Sequence, residues 1–142
     1  QLVMCHAVLE WLASPLEDMA RCLDLLPCDC YLSLMFYNRQ AIKVQNLLKG
    51  NFRYLQKQDF VGKGRSLTPQ SPLTMQAVTE LLQNQHVAVL DVGGIRCFAD
   101  YMRPETKSTH CVEDIVAMEK TVYREQPFVS MARYIHVIGK KN

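Results

Sequence analysis

The sequence predicts an α+β fold in which a helical N-terminal half is followed by a helix, a β-hairpin, a further helix and a third strand. Apolar residues recur at helical spacing through most of residues 1–60. Two segments of alternating apolar residues then flank Gly93-Gly94, a pair that suits a two-residue hairpin turn. Hydrophobic residues make up 49% of the chain and charged residues 21%, which provides enough apolar material for a core and argues against a disordered chain.

One domain is predicted, with a helical part at residues 1–60, a loop at 61–71 and an α+β part at 72–142. A chain of 142 residues has the usual size of a single domain. Because the chain begins with Gln1 rather than with methionine, we expect a fragment of a longer protein.

Two helices are predicted at the N-terminus. Residues 2–13 repeat apolar side chains every three or four positions, as one face of a helix does. Ser14 and Pro15 then form a helix-start signal, which Glu17 reinforces at the position where a capping box places a carboxylate. Pro27 ends this second helix.

The longest helix is predicted at residues 29–49. Its apolar side chains alternate four and three positions apart, which keeps them on one side of a helix. These side chains are Cys30, Leu34, Tyr37, Ala41, Val44 and Leu48. Gly50 is a typical stop signal, and residues 51–60 are expected to add a short helix.

A β-hairpin over residues 86–102 is the clearest strand prediction. Gly93-Gly94 supplies the turn, and the segments on both sides alternate apolar residues. In this register Asp91 lies opposite Arg96, and the two form an ion pair on one face. A shift by one residue breaks both the ion pair and the apolar face, so the predicted register is well defined.

Helices are also predicted over residues 73–84 and 110–124. Residues 134–138 fit either the end of a helix or a third strand, and we favour the strand because an isolated hairpin is only marginally stable in water. The order helix, loop, helix, hairpin resembles that of a winged helix-turn-helix domain. In such domains the helix before the hairpin often reads DNA, but residues 73–84 contain no lysine or arginine, which favours protein docking.

The six cysteines indicate free thiols rather than disulfides. Most of them fall on predicted apolar faces, and Cys28 and Cys30 are separated by a single residue. The apolar stretches are far shorter than the roughly 20 residues that a bilayer requires, and residues 2–13 lack the basic start of a signal peptide. We therefore expect an intracellular protein, cytoplasmic or nuclear, without membrane contact.

The N-terminal segments contain more apolar surface than one domain easily covers. Large aromatic side chains and methionine are the residue types that most often anchor protein interfaces. The candidate interface residues are Trp11, Tyr31, Met35 and Phe36. They predict docking onto a protein partner in a larger assembly.

A basic segment at residues 39–65 is a second candidate surface. It follows an acidic N-terminal stretch and interleaves cations with aromatic residues, a combination that can bind phosphates and stack on bases. The candidate nucleic-acid contacts are Arg39, Lys43, Lys49, Arg53, Lys57, Lys63 and Arg65. Because a run of charges is usually only solvated surface, nucleic-acid binding is the alternative rather than the main prediction.

No residue pattern in the sequence indicates catalysis or a metal site. Walker, Rossmann, nucleophile-elbow and HExxH motifs are all absent from the sequence. Cys28 and Cys30 lack the second ligand pair that a structural zinc site usually shows. His110 and Cys111 are adjacent, so on a helix they point about 100° apart, and His136 is interpreted as a structural histidine. No enzyme, no metal and no cofactor is predicted.

The functional prediction is a non-catalytic protein-interaction or scaffold domain of an intracellular multi-subunit complex. The alternative is a nucleic-acid-binding domain, DNA-binding in the nuclear case, that uses the basic segment. Both interpretations rest on surface composition, because the sequence contains no set of side chains arranged for bond-making.

Overall fold

Residues 1–57 and 69–142 are described by a computed structural model, in which helices pack against a four-stranded mixed sheet. This confirms the α+β class. The strands are β1 (Leu2–His6), β2 (Tyr31–Tyr37), β3 (Val87–Ile95) and β4 (Tyr134–Lys141), in the spatial order β1-β2-β4-β3. β1 and β2 run parallel, whereas β4 runs antiparallel to both of its neighbours, β2 and β3.

The helices connect these strands. They are a 3₁₀ turn at Leu9–Trp11, α1 (Pro15–Asp24), α2 (Arg39–Leu48), α3 (Phe52–Gln56), α4 (Met75–Asn84), α5 (Pro104–Lys107), α6 (Val112–Val122) and α7 (Phe128–Met131). The helices predicted after Ser14, at 73–84 and at 110–124 are confirmed as α1, α4 and α6. Across the described ranges, every helix is too short or too polar to cross a bilayer.

One face of the sheet packs against α1 and α4 to form the core. Alternate residues of a strand point to the same face, and β2 and β4 thereby bury Leu34, Phe36 and Val137 completely. Leu23 of α1 and Leu82 of α4 are equally inaccessible. Burial of each large apolar side chain contributes about 1.5–3 kcal/mol, so this layer is the main stabilising element of the fold.

The opposite face of the sheet is more open and more polar. On β1, Leu2 is 60% and Met4 63% exposed. At the centre of this face lie Ser33 of β2 and His136 of β4, where an apolar core would place leucine or valine. This open face and its edge contain the candidate site.

Two of the predicted helices are wrong. Residues 2–13 form β1 and the 3₁₀ turn, and residues 29–49 form β2 before α2 begins. A short apolar run fits a buried strand as well as a buried helix, so spacing alone does not separate them. Pairing of β2 with β1 on one side and β4 on the other decides in favour of the strand.

The hairpin predicted at residues 86–102 is also wrong. β3 continues straight through Gly93 and Gly94, and both glycines pair with β4. A Cβ atom on Gly94 would lie 2.7 Å from the Cβ of Ala132 and from the Sγ of Cys97. Glycine is therefore required for close packing rather than for a turn.

The predicted Asp91–Arg96 ion pair and the predicted winged arrangement both depended on this hairpin and are not observed. Asp91 pairs with Arg124, with 2.6 Å between oxygen and nitrogen, and Arg96 pairs with Asp100. A wing of two adjacent strands is not formed, since β3 pairs with the distant β4. The strand favoured at residues 134–138 is confirmed as part of β4.

Replacing Phe36 by alanine tests its place in the core. The ring is completely buried in β2, so Phe36→Ala should lower the free energy of unfolding by about 3–5 kcal/mol. Phe52→Ala in α3 is the matched control, because that ring is 59% exposed and its loss should change stability by less than about 0.5 kcal/mol. Denaturant unfolding measures both variants, and equal effects would contradict this assignment.

Candidate active site

β1 and β2 end side by side, and in open sheets the carboxyl ends of parallel strands are a common place for ligand binding. His6 is the last residue of β1, and Tyr37 is the last residue of β2. The next residue after β1, Ala7, has a φ of 53°, a left-handed conformation that is uncommon for residues with a side chain. Its N–H donates to the Met35 carbonyl at 2.9 Å, which holds the turn in place. Strained backbone of this kind is concentrated at functional sites.

Two histidines and a serine meet on the open face beside this edge. The Ser33 hydroxyl lies 2.8 Å from Nε2 of His6 and 2.8 Å from Nε2 of His136. A hydroxyl both donates and accepts, so Ser33 can join two neutral imidazoles. Burial lowers the pKa of His136, the charge of His6 lowers it further, and Asp91 acts in the opposite direction. The cluster therefore favours the neutral form of His136.

Asn38, directly after β2, is a buried polar residue that joins several segments. Its amide nitrogen donates to the carbonyls of Ser130 and Ala132, both at 2.9 Å. Its side-chain oxygen accepts the Gln40 N–H at 3.0 Å and so caps α2. Its backbone N–H donates to the Arg133 carbonyl at 2.9 Å. The end of β2, the start of α2 and the entry to β4 are thereby fixed relative to one another.

Glu10 in the 3₁₀ turn is a buried carboxylate. Among the described residues, its Oε2 atom has no hydrogen-bond partner. Burial raises the pKa of Glu10, while backbone N–H groups of Glu10 and Tyr37 oppose that rise. The Glu10 carbonyl accepts the N–H groups of Gln70 and Ser71, both at 2.9 Å, which ties the turn after β1 to the segment before α4.

An arginine cluster, defined here as Arg96, Asp100 and Arg133, lies next to the end of β2. Asp100 is only 9% exposed and binds both arginines, with 2.9 Å to Nη1 of Arg133. The Arg133 guanidinium also faces the Tyr37 ring, 5.5 Å from its centroid. Tyr37 and Tyr134 contact each other edge to face at 5.2 Å. The arrangement combines cations with aromatic surface at the strand ends.

A cleft of about 410 Å³ opens beside Asn38. It lies between the first residues of α2 and α4 and the end of α7, and its lining includes Gln40, Thr74, Gln76 and Ser130. The cleft is large enough for a nucleoside-sized ligand, since small-molecule sites commonly span several hundred Å³.

The interface residues predicted from the sequence lie in different environments. Trp11 and Tyr31 are 44% and 45% exposed, at opposite ends of the sheet region. Met35 is partly buried between His6 and His136 on the open face. Phe36 belongs to the core, because it is an inward-facing residue of β2 rather than part of a helix. Its selection followed from the wrong helix assignment, whereas the role of Trp11 and Tyr31 in protein contacts stays a prediction.

The predicted basic residues lie on α2, on α3 and next to them. The described ones, Arg39, Lys43, Lys49, Arg53 and Lys57, are all exposed. Lys63 and Arg65 lie outside the described residues. The structure therefore places five of the seven predicted cations on or next to α2 and α3.

The cysteines are free thiols. Cys28 is exposed and Cys30 is buried. Within residues 1–57 and 69–142, no three histidine, cysteine, aspartate or glutamate side chains are grouped to hold a metal ion.

Several residues at this edge were not selected from the sequence. Ser33 interrupts the apolar alternation of β2, and Asn38 follows an apolar strand directly, so both were detectable once residues 31–37 were assigned as a strand. Asp100 and Arg133 are 33 residues apart, and no local signal relates them.

Curated proteins of one name match the chain along almost its whole length. The chain is 34% identical over 140 residues to tRNA 5-carboxymethoxyuridine methyltransferase of Escherichia coli K12. The alignment covers 99% of the chain and 54% of that relative, and the protein of the same name from Escherichia coli O157:H7 gives the same values. The chain thus spans about half the length of the curated relatives it matches. No protein-family model matches it.

A solved structure shares the fold. PKMT2 from Rickettsia typhi superposes with a TM-score of 0.51 at 13% sequence identity, covering 99% of the chain and 35% of PKMT2. At this identity the likeness concerns the fold alone.

These relatives correct the functional predictions. The predictions of a scaffold domain or a nucleic-acid-binding domain without enzyme activity are wrong, because relatives that align along almost the whole chain are named as an enzyme. The predicted protein partner and the nuclear, DNA-binding description are overturned by the same finding, since those names specify tRNA. The sequence-based prediction was wrong because it took the absence of known catalytic motifs from the 142 residues as evidence against enzyme activity.

The histidine cluster predicts a pH-dependent stability. Since the pKa of His136 is lowered in the folded state, the unfolded chain takes up its proton first as the pH falls. Stability from this residue is therefore present above about pH 6.5, the ordinary histidine pKa, and is lost below it. Between pH 7.5 and 5.5, the wild type should lose more unfolding free energy than His136→Gln. The exposed His110→Gln is the control, and parallel losses in all three proteins would contradict this role.

Proposed function

We propose that the chain is part of a methyltransferase that modifies a carboxylate-bearing uridine of tRNA. The supporting observation is the 34% identity to tRNA 5-carboxymethoxyuridine methyltransferase along 99% of the chain. The chain supplies the sheet edge at the ends of β1 and β2 to this activity. Since tRNA is the substrate, the proposal implies a cytoplasmic location.

The chemistry of the proposed reaction is methyl transfer to an oxygen of the carboxylate. That oxygen forms a bond to the methyl carbon while the bond between the carbon and the donor breaks, and the donor leaves with the electron pair. The donor is a second substrate and supplies an electrophilic methyl group. A carboxylate is already ionised at neutral pH, since carboxyl groups of this kind have a pKa near 4. The step therefore needs no general base.

What the protein must supply is orientation. Holding two reactants in line is worth several kcal/mol of the barrier, because it replaces a bimolecular encounter by a reaction within one complex. The turn at Ala7, the buried Asn38 and the cleft beside it are suited to this task, because their geometry is fixed by hydrogen bonds before a ligand binds.

The tRNA backbone needs cations that are accessible. The five exposed cations of α2, α3 and their ends are suited to phosphate contacts, which position a nucleic acid without reading its sequence. α2 begins directly after Asn38, so these cations and the strand ends lie on one connected segment.

A labelled-methyl assay tests the proposed function. The complete product of the gene that encodes this chain is mixed with S-adenosylmethionine labelled in its methyl group and with tRNA containing 5-carboxymethoxyuridine. We expect label in the RNA, and its release as methanol under mild alkali, because a methyl ester is base-labile. Control tRNAs carry unmodified uridine or 5-methoxyuridine, which lack the carboxylate. A folded protein that labels none of the substrate tRNA, or that gives an alkali-stable label, would contradict the proposal.

A further inference from the structure

The arginine cluster contains more positive than negative charge. Arg96 and Arg133 share the single carboxylate of Asp100. Two further charges lie close: Lys107 donates to the Ala99 carbonyl at 3.2 Å, and Glu119 accepts the backbone N–H groups of residues 97–99. Three cations thus face two anions, which leaves one positive charge beside the end of β2. A half-buried surplus cation favours an anionic ligand, because the surroundings screen it less than bulk water does.

Arg133 is the member of the cluster with an unsatisfied nitrogen. Asp100 occupies its Nη1, whereas its Nε is buried without an acceptor among the described residues. A buried N–H without an acceptor is destabilising by about 1–3 kcal/mol, so an incoming acceptor is favoured. About a third of the side chain, 34%, is exposed. A small cavity lined by Tyr37, Gln45 and Arg133 adjoins it.

Two tyrosines complete the surroundings of Arg133. The Tyr37 ring faces the guanidinium and contacts the Tyr134 ring edge to face. Burial raises the pKa of Tyr37, although Arg133 opposes this, so the phenol stays protonated at neutral pH. Tyr37 is only 8% exposed, so the partly exposed Tyr134 ring supplies the aromatic surface next to the guanidinium, which suits a planar base that bears an acidic substituent.

The position of Arg133 relative to the strand ends is fixed by the backbone. Its carbonyl accepts the Asn38 N–H at 2.9 Å, and its own N–H donates to the Arg96 carbonyl at 3.2 Å. It directly precedes β4, whose first residue, Tyr134, pairs with Tyr37 at the end of β2. The cation is therefore held at the edge assigned to the reaction.

We infer that Arg133, supported by Asp100 and Tyr37, binds the carboxylate of the substrate nucleoside and selects for that charge. This inference rests on the proposed function and names the group that recognises its substrate. The guanidinium holds one carboxylate oxygen and leaves the other directed at the methyl carbon. Arg133 also distinguishes substrate from product, because the methyl ester has lost the negative charge.

Variants of Arg133 test the inference in the complete gene product. With tRNA containing 5-carboxymethoxyuridine, Arg133→Gln should lower kcat/KM by roughly 10- to 100-fold, the range that a charged hydrogen bond supports. Arg133→Lys should recover part of the loss, because it restores the charge without the guanidinium geometry. Arg124→Gln is the matched control: it removes an exposed arginine that is paired with Asp91, and its kcat/KM should stay within about twofold of the wild type.

Binding measurements separate recognition from a merely structural role. Wild-type protein should bind the carboxylate-bearing RNA more tightly than the same RNA with the neutral methyl ester, and Arg133→Gln should bind both equally. If Arg133→Gln keeps the wild-type preference for the carboxylate, the inference is overturned even when the variant is less stable. An inactive wild type removes the proposed function itself, whereas an active wild type with an unchanged Arg133→Gln removes only this inference.

Discussion

The rest of the site depends on the buried side chain of Asn38. It is fully inaccessible to solvent and satisfies carbonyls of Ser130 and Ala132 while it caps α2. Its backbone N–H fixes Arg133 through the carbonyl of that residue. A buried amide in a low-dielectric interior is stable only when its hydrogen bonds are made. The hydrogen bonds of Asn38 are therefore expected to form or break together. One residue thereby sets the distance between the strand ends, the basic helices and the arginine cluster.

The proposed chemistry explains why no catalytic motif is needed at this edge. An ionised carboxylate is its own nucleophile, and the protein contributes orientation and charge selection rather than proton removal. His6 and His136 are consistent with that division, because both are hydrogen-bonded to Ser33 as part of the open face. The surplus cation at Arg133 performs the selection, and the strained turn at Ala7 shapes the neighbouring edge.

Local signals in the sequence predicted only part of this. α1, α4 and α6 were predictable because caps and a 3.6-residue period are encoded within each helix. β1 and β2 were missed because they pair with each other and because β2 also pairs with β4, which lies about a hundred residues later. Gly93-Gly94 was interpreted as a turn, although Gly94 is required by the side chains of Ala132 and Cys97 that pack over it. His6 and His136 were visible individually, but Ser33 unites them only through strand register.

Cross-linking of a substrate RNA tests the central claim, that the strand edge at Tyr37 and Tyr134 receives the modified base. The complete gene product is irradiated with a short RNA whose only uridine is 5-carboxymethoxyuridine, and mass spectrometry locates the joined peptide. The account predicts a cross-link at Tyr134, because this partly exposed ring contacts the Tyr37 ring that faces Arg133. A cross-link confined to α6 or to the N-terminal end of β2 would contradict it.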